Sequence, residues 1–256
     1  MGAKTVELRI GARSDVGRVR SGNEDNLFVE ADARRGIFIV ADGMGGHAAG
    51  EVASEMAVQI VGQRLVAIGS VRDADAVPVL TGSLKEANRE IYHRMLAEQD
   101  KQGMGTTASA LLLSAQGFLI GQIGDSRVYL FRDGVLTQLT KDHSYVQEQV
   151  DAGVLTPEQA RYHPYSNVIT RCVGSSDEVE VDVFSGSVRA GDQFLVASDG
   201  LTGMLEDGQI ARLLAAYAGP GRKVDALIEE ANAHGGLDNI TAIVVEIVTL
   251  EELADG

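Results

Sequence analysis

Ile39-Val40-Ala41-Asp42-Gly43-Met44-Gly45-Gly46-His47-Ala48-Ala49-Gly50-Glu51 is the stretch around which the chain is organised. The apolar run from Gly36 to Ala41 predicts a buried strand. It ends on a carboxylate, Asp42. Glycines at 43, 45, 46 and 50 then interrupt regular structure and let backbone groups come close to a ligand. Val52, Ala53, Met56, Ala57, Ile60 and Val61 recur at helical spacing, which predicts a helix from about Glu51 to Ala67. An acid at a strand end beside such a loop suits a hard cation, whose ligands are carboxylates, carbonyls and water. Asp-Gly is also an ordinary turn signal, so the decision between the two readings lies elsewhere in the chain.

Working outward, Asp42 has counterparts. Asp125 follows an apolar run from Phe118 to Ile123, and Asp199 follows one from Gln193 to Ala197. Asp238 precedes the run from Ile240 to Val248, and Glu24 and Asp25 precede the one at Leu27 to Val29. An acid beside a strand end five times over suggests a convergent carboxylate cluster. Close carboxylates do not all stay ionised without cations. Two divalent metals, roughly 3.5–4 Å apart, would neutralise such a cluster and activate a water.

The pattern predicts an α+β fold. Val6 to Ile10 reads as a first strand, and Leu27 to Val29 pairs with Gly36 to Ala41 as a hairpin. A long helix from Ala76 to Glu98 presents Val77, Leu80, Leu84, Ala87, Ile91 and Met95 on one face. Four short runs between Ala108 and Leu139, joined by tight turns, predict an antiparallel meander. Residues 141–175 lack a sheet pattern and read as a flap, with a short helix near Tyr145 to Ala152. Strands at Val179 to Phe184 and Gln193 to Ala197 precede helices near 207–218 and 223–233. No repeat or linker divides the chain, so a single domain over 1–256 is expected, with a frayed acidic tail at 251–256.

Composition removes several functions. Lys and Arg number 22 against 37 Asp and Glu, a net charge of −15 in 256 residues. Such a surface repels nucleic acid. No apolar run is long enough for a bilayer span and no signal peptide opens the chain. The one cysteine, Cys172, excludes an internal disulfide and fits a reducing cytosol, so a cytoplasmic location is expected. Cys172 lacks a Cys-x5-Arg spacing and reads as a packing residue.

Taken as a set, Arg20-x-x-Asn23-Glu24-Asp25, Ala41-Asp42-Gly43-Met44-Gly45-Gly46-His47, Met104-Gly105-Thr106-Thr107, Ile123-Gly124-Asp125-Ser126-Arg127, Ser198-Asp199-Gly200 and Asp238-Asn239-Ile240-Thr241 resemble the PP2C (PPM) metal-dependent serine/threonine protein phosphatases, their bacterial branch most of all. The resemblance runs from about Val6 to Val248. It implies a four-layer α-β-β-α sandwich, two antiparallel sheets flanked by helix pairs, with metals in a cleft at one end. It also implies two to three Mn2+ or Mg2+ ions. Asp42 would bridge two of them, Asp199 and Asp238 would hold the first, and Glu24 with the Gly43 carbonyl the second. Asp125, with Asp199, would serve a third. Arg20 would grip the substrate phosphate, for which a guanidinium fork is suited. His47 is the candidate acid for the leaving oxygen, set against a plain surface histidine. Asp25 and Asn239 would support the ligands.

Hydrolysis without a covalent phosphoenzyme is the expected reaction. Its substrates would be phosphorylated proteins, a serine/threonine kinase among them, and the enzyme a monomer. Three other readings compete. Gly124-Asp125-Ser126 could be a lipase-type nucleophile, but His234 then stands on the wrong side of Asp238. A non-catalytic sensor or scaffold would have lost metal acids, which are all present here. A phosphatase of small phosphates shares the same ligands. His143 and His163, in the flap, read as solvated.

Overall fold

The alternation along one strand explains the layering. In this computed structural model, which describes residues 4–45 and 49–252, the central hairpin strand runs over Arg35–Met44. Ile37, Ile39 and Ala41 face one way, into a cluster with two helices; Phe38 and Val40 face the other, into a second sheet. With both faces covered, the strand reads as a continuous apolar run although its side chains alternate.

In chain order the elements are β1 (Lys4–Asp15), β2 (Asp25–Ala31), β3 (Arg35–Met44), α1 (Ala49–Leu65), α2 (Ala76–Ala97), β4 (Gly105–Thr106), β5 (Ala108–Ser114), β6 (Gly117–Ile123), β7 (Arg127–Arg132), β8 (Val135–Gln138), α3 (Tyr145–Asp151), α4 (Pro157–Arg161), β9 (Asp182–Gly186), β10 (Gln193–Ala197), α5 (Asp199–Thr202), α6 (Asp207–Ala216), α7 (Pro220–Ala233) and β11 (Ile240–Glu252). One sheet has the order β1-β11-β10-β7-β8, the other β2-β3-β5-β6-β9, with β4 on the end of β3. All pairings are antiparallel. Phe38, Val40, Leu111 and Leu113 meet Phe194, Val196, Ile243 and Val245 between the sheets. α1 and α2 cover the outer face of the second sheet through Ala53, Ala57, Leu80, Leu84 and Ile91. α6 and α7 cover the first through Ile210, Leu214, Leu227 and Ile228. The result is the expected α-β-β-α sandwich.

Four details differ from the sequence reading. β6 and β7 are not neighbours: Gly124-Asp125-Ser126 carries the chain from one sheet to the other, so the meander is two separate hairpins. A tight turn fixes a reversal but not which sheet the next strand joins. β3 continues through Asp42 and Gly43 to Met44, because Gly43 and Met44 pair with Thr106 and Gly105. β1 extends to Asp15, paired with Ile240, through residues whose polarity suggested a loop. Glu251 and Glu252 continue β11 against Thr5 and Lys4 where fraying was expected; residues 253–256 lie outside the described residues. No described helix is long and apolar enough to cross a membrane.

Candidate metal centre

Antiparallel register brings the acids to one end of both sheets. Asp25, first residue of β2, stands opposite Asp42 near the end of β3. β5 begins beside that end, and its first residue pairs with Ile123, two positions before Asp125. In the other sheet Ala197, the last residue of β10, pairs with both Arg127 and Ala242, which places Asp199 beside the start of β11 that Asp238 precedes. The sheets are tied across this end by Ser198, whose Oγ donates to Asp25 Oδ2 at 2.8 Å and accepts from the Thr241 N–H at 3.0 Å.

Contacts from neighbouring segments hold Glu24, Asp42 and the turn at Asp125 in place. Gly43 donates its N–H to the Glu24 carbonyl at 3.1 Å. A Cβ on Gly43 would run into the carbonyls of Gly50 and Glu24, so glycine is what lets the Glu24 segment and the start of α1 close on the loop. Buried Asn239 accepts from the Glu24 N–H at 2.8 Å and donates to the carbonyls of Val16 and Gly22, both at 2.9 Å. It thereby binds the 16–24 segment to the Asp238 loop. The Asp42 N–H donates to Thr107 Oγ1 at 2.9 Å, and Thr107 Oγ1 meets Ser126 Oγ at 2.7 Å, joining the Asp42 and Asp125 turns. Arg127 forks onto Asp142 at 2.7 and 3.0 Å. Thr107, Ser126, Ser198 and Arg127 were not singled out from sequence as site supports, because each acts through a partner distant in the chain.

The electrostatics are those of crowded acids. Burial, then Asp25, Asp199 and Asp125, push the Asp42 carboxyl well above its ordinary range. Asp199 is raised by burial first, with Asp238 adding to the rise and Asp42, Arg127 and Arg20 opposing it. Burial followed by Asp199 and Asp142 raises Asp125 well above its usual value. Asp25 is pushed up to about 7, by burial first and then by Asp199 and Asp238. Glu24, part-exposed, is raised by burial and by Asp238 and Glu51, with Arg20 opposing. Arg20 donates to Asp238 Oδ2.

Among the described residues, no three of these side chains form a ready-made cation cage. The fit to divalent cations rests on donor chemistry. Oδ1 of Asp25, of Asp125 and of Asp199 are buried with no hydrogen-bond partner among the described residues. Buried carboxylate oxygens without partners are destabilising, and a hard cation supplies what they lack.

Several sequence-predicted residues fall elsewhere. His47 lies outside the described residues. His143 is buried rather than solvated, with its ring against Gly124, Arg171 and Asp182. His163 is half-buried and packs against Tyr145 and Tyr165. Ser126 is fully buried, so it cannot serve as a surface nucleophile. Cys172 is partly buried and burial raises its thiol, in line with a packing role.

Residues 18–232 match the family described as Protein phosphatase 2C. The serine/threonine phosphatase Stp of Listeria innocua is 40% identical over 237 residues, which cover 91% of this chain and 94% of that relative. The crystal structure of the Mycobacterium tuberculosis serine/threonine phosphatase PstP/Ppp is 40% identical with a TM-score of 0.86, over 94% of this chain and 99% of that chain. The catalytic domain of the serine/threonine protein phosphatase PstP in complex with two manganese ions is 39% identical, with a TM-score of 0.84, over 96% and 100%. Fold and acids together define a metal-dependent phosphatase. The chain belongs to the protein phosphatase 2C family, in its bacterial branch.

Proposed function

We propose that the acid cluster hydrolyses phosphoserine and phosphothreonine in proteins, with two to three Mn2+ or Mg2+ ions as cofactors. The observation that carries this is the set of partnerless buried oxygens on Asp25, Asp125 and Asp199, packed around Asp42 with one arginine, Arg20, on their exposed side. Asp42 would be shared between two ions, Asp199 and Asp238 would complete one site, and Glu24 with the Gly43 carbonyl the other. Asp125, with Asp199, would hold a third. Bound there, divalent cations neutralise charge developing on phosphoryl oxygens and make water nucleophilic at neutral pH.

The protein's own contribution is placement. Asn239 and Gly43 fix the Glu24 segment, and Thr107 and Ser126 fix Asp42 relative to Asp125. Arg20 is more than half exposed; it is free to turn from Asp238 to a substrate phosphate. No side chain is required as a nucleophile. The proton for the leaving serine or threonine oxygen is assigned to His47 or to solvent. The proposal includes a serine/threonine kinase among the substrates, a monomeric enzyme and a cytoplasmic location, the last supported by the single cysteine, which fits a reducing compartment.

The test compares kcat/KM on a phosphothreonine peptide and on free O-phosphoserine, in Mn2+. A protein phosphatase prefers the peptide by at least about tenfold. Equal or reversed preference would move the function to small phosphate esters.

A further inference from the structure

Asp125 follows a residue with φ of +102°. A Cβ at Gly124 would meet Thr107 at 2.6 Å. This is a conformation glycine tolerates but does not choose among its alternatives. Something must select it, and the flap supplies the partner. The Gly124 N–H donates to His143 Nδ1 at 3.0 Å, and the His143 N–H donates to the Gly124 carbonyl at 3.0 Å. The pair forms a closed ring of two hydrogen bonds. Gln122 Nε2 adds a third, to the same carbonyl, at 3.0 Å.

The imidazole is itself braced. Because Nδ1 accepts from Gly124, Nε2 carries the proton. It lies 3.2 Å from Asp182 Oδ2 and 3.0 Å from Arg171 Nη1, and Arg171 Nη1 donates to Asp182 Oδ1 at 2.7 Å, so the carboxylate offsets the guanidinium beside the ring. One carboxylate therefore holds both the histidine and the arginine. Asp182 is positioned by β9, where it stands opposite Gln122 of β6. Burial and then Arg171 lower the His143 pKa, with Asp182 and Asp142 opposing, a direction that agrees with Nδ1 accepting from Gly124. The Thr170 N–H donates to the His143 carbonyl at 2.8 Å, and Ser144 bridges Ile169. Entry and return of the 141–175 segment are thus joined at this one residue.

We propose that His143 is a positioning residue for Asp125: by clamping Gly124 it aims the Asp125 carboxylate into the acid cluster and ties the cation affinity of that carboxylate to the root of the flap. This rests on the reading of Asp125 as a cation ligand. His143 touches neither substrate nor cation. It acts through one peptide group, much as outer partners orient ligands in metal sites generally.

The experiment is calorimetric titration of the whole chain with Mn2+, for wild type and for Asp125→Asn, His143→Ala, His143→Asn and Asp182→Asn, with thermal melting of each. Wild type is expected to show a weaker binding event that Asp125→Asn removes. His143→Ala weakens that same event by about tenfold or more and leaves the tighter events within about twofold. His143→Asn presents Oδ1 where Nδ1 stood and restores most of the affinity. Asp182→Asn, which keeps the imidazole but loosens its brace, falls between wild type and His143→Ala, and it decides the matter if His143→Ala does not fold. An unchanged weak event in His143→Ala or in Asp182→Asn, beside its loss in Asp125→Asn, overturns the positioning role alone. A weak event that survives Asp125→Asn overturns it together with the ligand reading.

Discussion

Arg20 donates from Nη2 to Oδ2 of Asp238 at 2.7 Å. The guanidinium proposed to grip phosphate thus rests on a carboxylate proposed to hold metal. Asp238 Oδ1 meanwhile accepts from the Asn239 N–H at 2.9 Å, so the Asp238 carboxylate is already engaged at both oxygens. Under the proposed function, cation binding at Asp238 and release of Arg20 toward substrate would be two sides of one exchange.

Arg20→Ala should therefore separate the two roles. Losing a charged hydrogen bond to phosphate corresponds to roughly 1.5–3 kcal/mol, about 10- to 100-fold in kcat/KM. Mn2+ affinity should hold or rise slightly, because a cation has been removed from beside Asp238. Steady-state kinetics and Mn2+ calorimetry on the same preparation check this. Weakened metal binding in Arg20→Ala would show that the arginine supports the metal site instead.

The raised acids make stability depend on pH when metal is chelated. Asp25 has a folded value of about 7 against an ordinary 3.8, and Asp42 and Asp125 shift the same way. A folded value above the unfolded one gives stability that is full below about pH 4 and lost as pH rises through the folded value. Melting in chelator should fall between pH 5 and pH 8, by roughly 2–4 °C for each kcal/mol lost. Added Mn2+ should reverse the loss at the upper end. A Tm in chelator that does not decline over this range would mean the acids are not crowded in solution.

Ser126→Ala tests the discarded nucleophile. Ser126 is fully buried and bonded to Thr107. Removing its hydroxyl should cost about 1 kcal/mol of stability and, by loosening Asp42 against Asp125, lower turnover by roughly 10- to 100-fold, as loss of an outer partner does. A loss of a thousandfold, with labelling of wild type by a fluorophosphonate, would reinstate a serine mechanism.

Gly43→Ala probes the close approach. The new methyl meets the Gly50 and Glu24 carbonyls, so overpacking of about 1–3 kcal/mol is expected. Movement of Glu24 should weaken Mn2+ binding alongside stability. Wild-type stability and affinity in this variant would show that the loop has room the structure does not.

Sequence was informative where the signal is local. Leu80, Leu84, Ala87 and Ile91 repeat on one face and locate α2 to within a residue, and the apolar run Gln193–Ala197 coincides with β10. The acids at strand ends are legible only as a set: one acid after an apolar run is an ordinary turn signal, and five of them together with the family resemblance point to a cluster. What was illegible is non-local. Gly124-Asp125-Ser126 looked like a hairpin turn and is a crossing between sheets, which depends on β7 pairing with β10 more than sixty residues later. β1 looked five residues long, since Arg13 and Asp15 are polar; their pairing with Ala242 and Ile240 is set by the far end of the chain. His143 looked solvated because its partners, Gly124, Arg171 and Asp182, come from three separate segments.

The most direct measurement is phosphate release from a phosphothreonine peptide with Mn2+, with chelator, and with Asp42→Asn in Mn2+. The carboxylate-held cation account predicts release with Mn2+, none with chelator, and a drop of more than about 100-fold for Asp42→Asn, beyond what loss of an outer partner gives. Release that survives chelation, or an Asp42→Asn enzyme of wild-type activity, would contradict it.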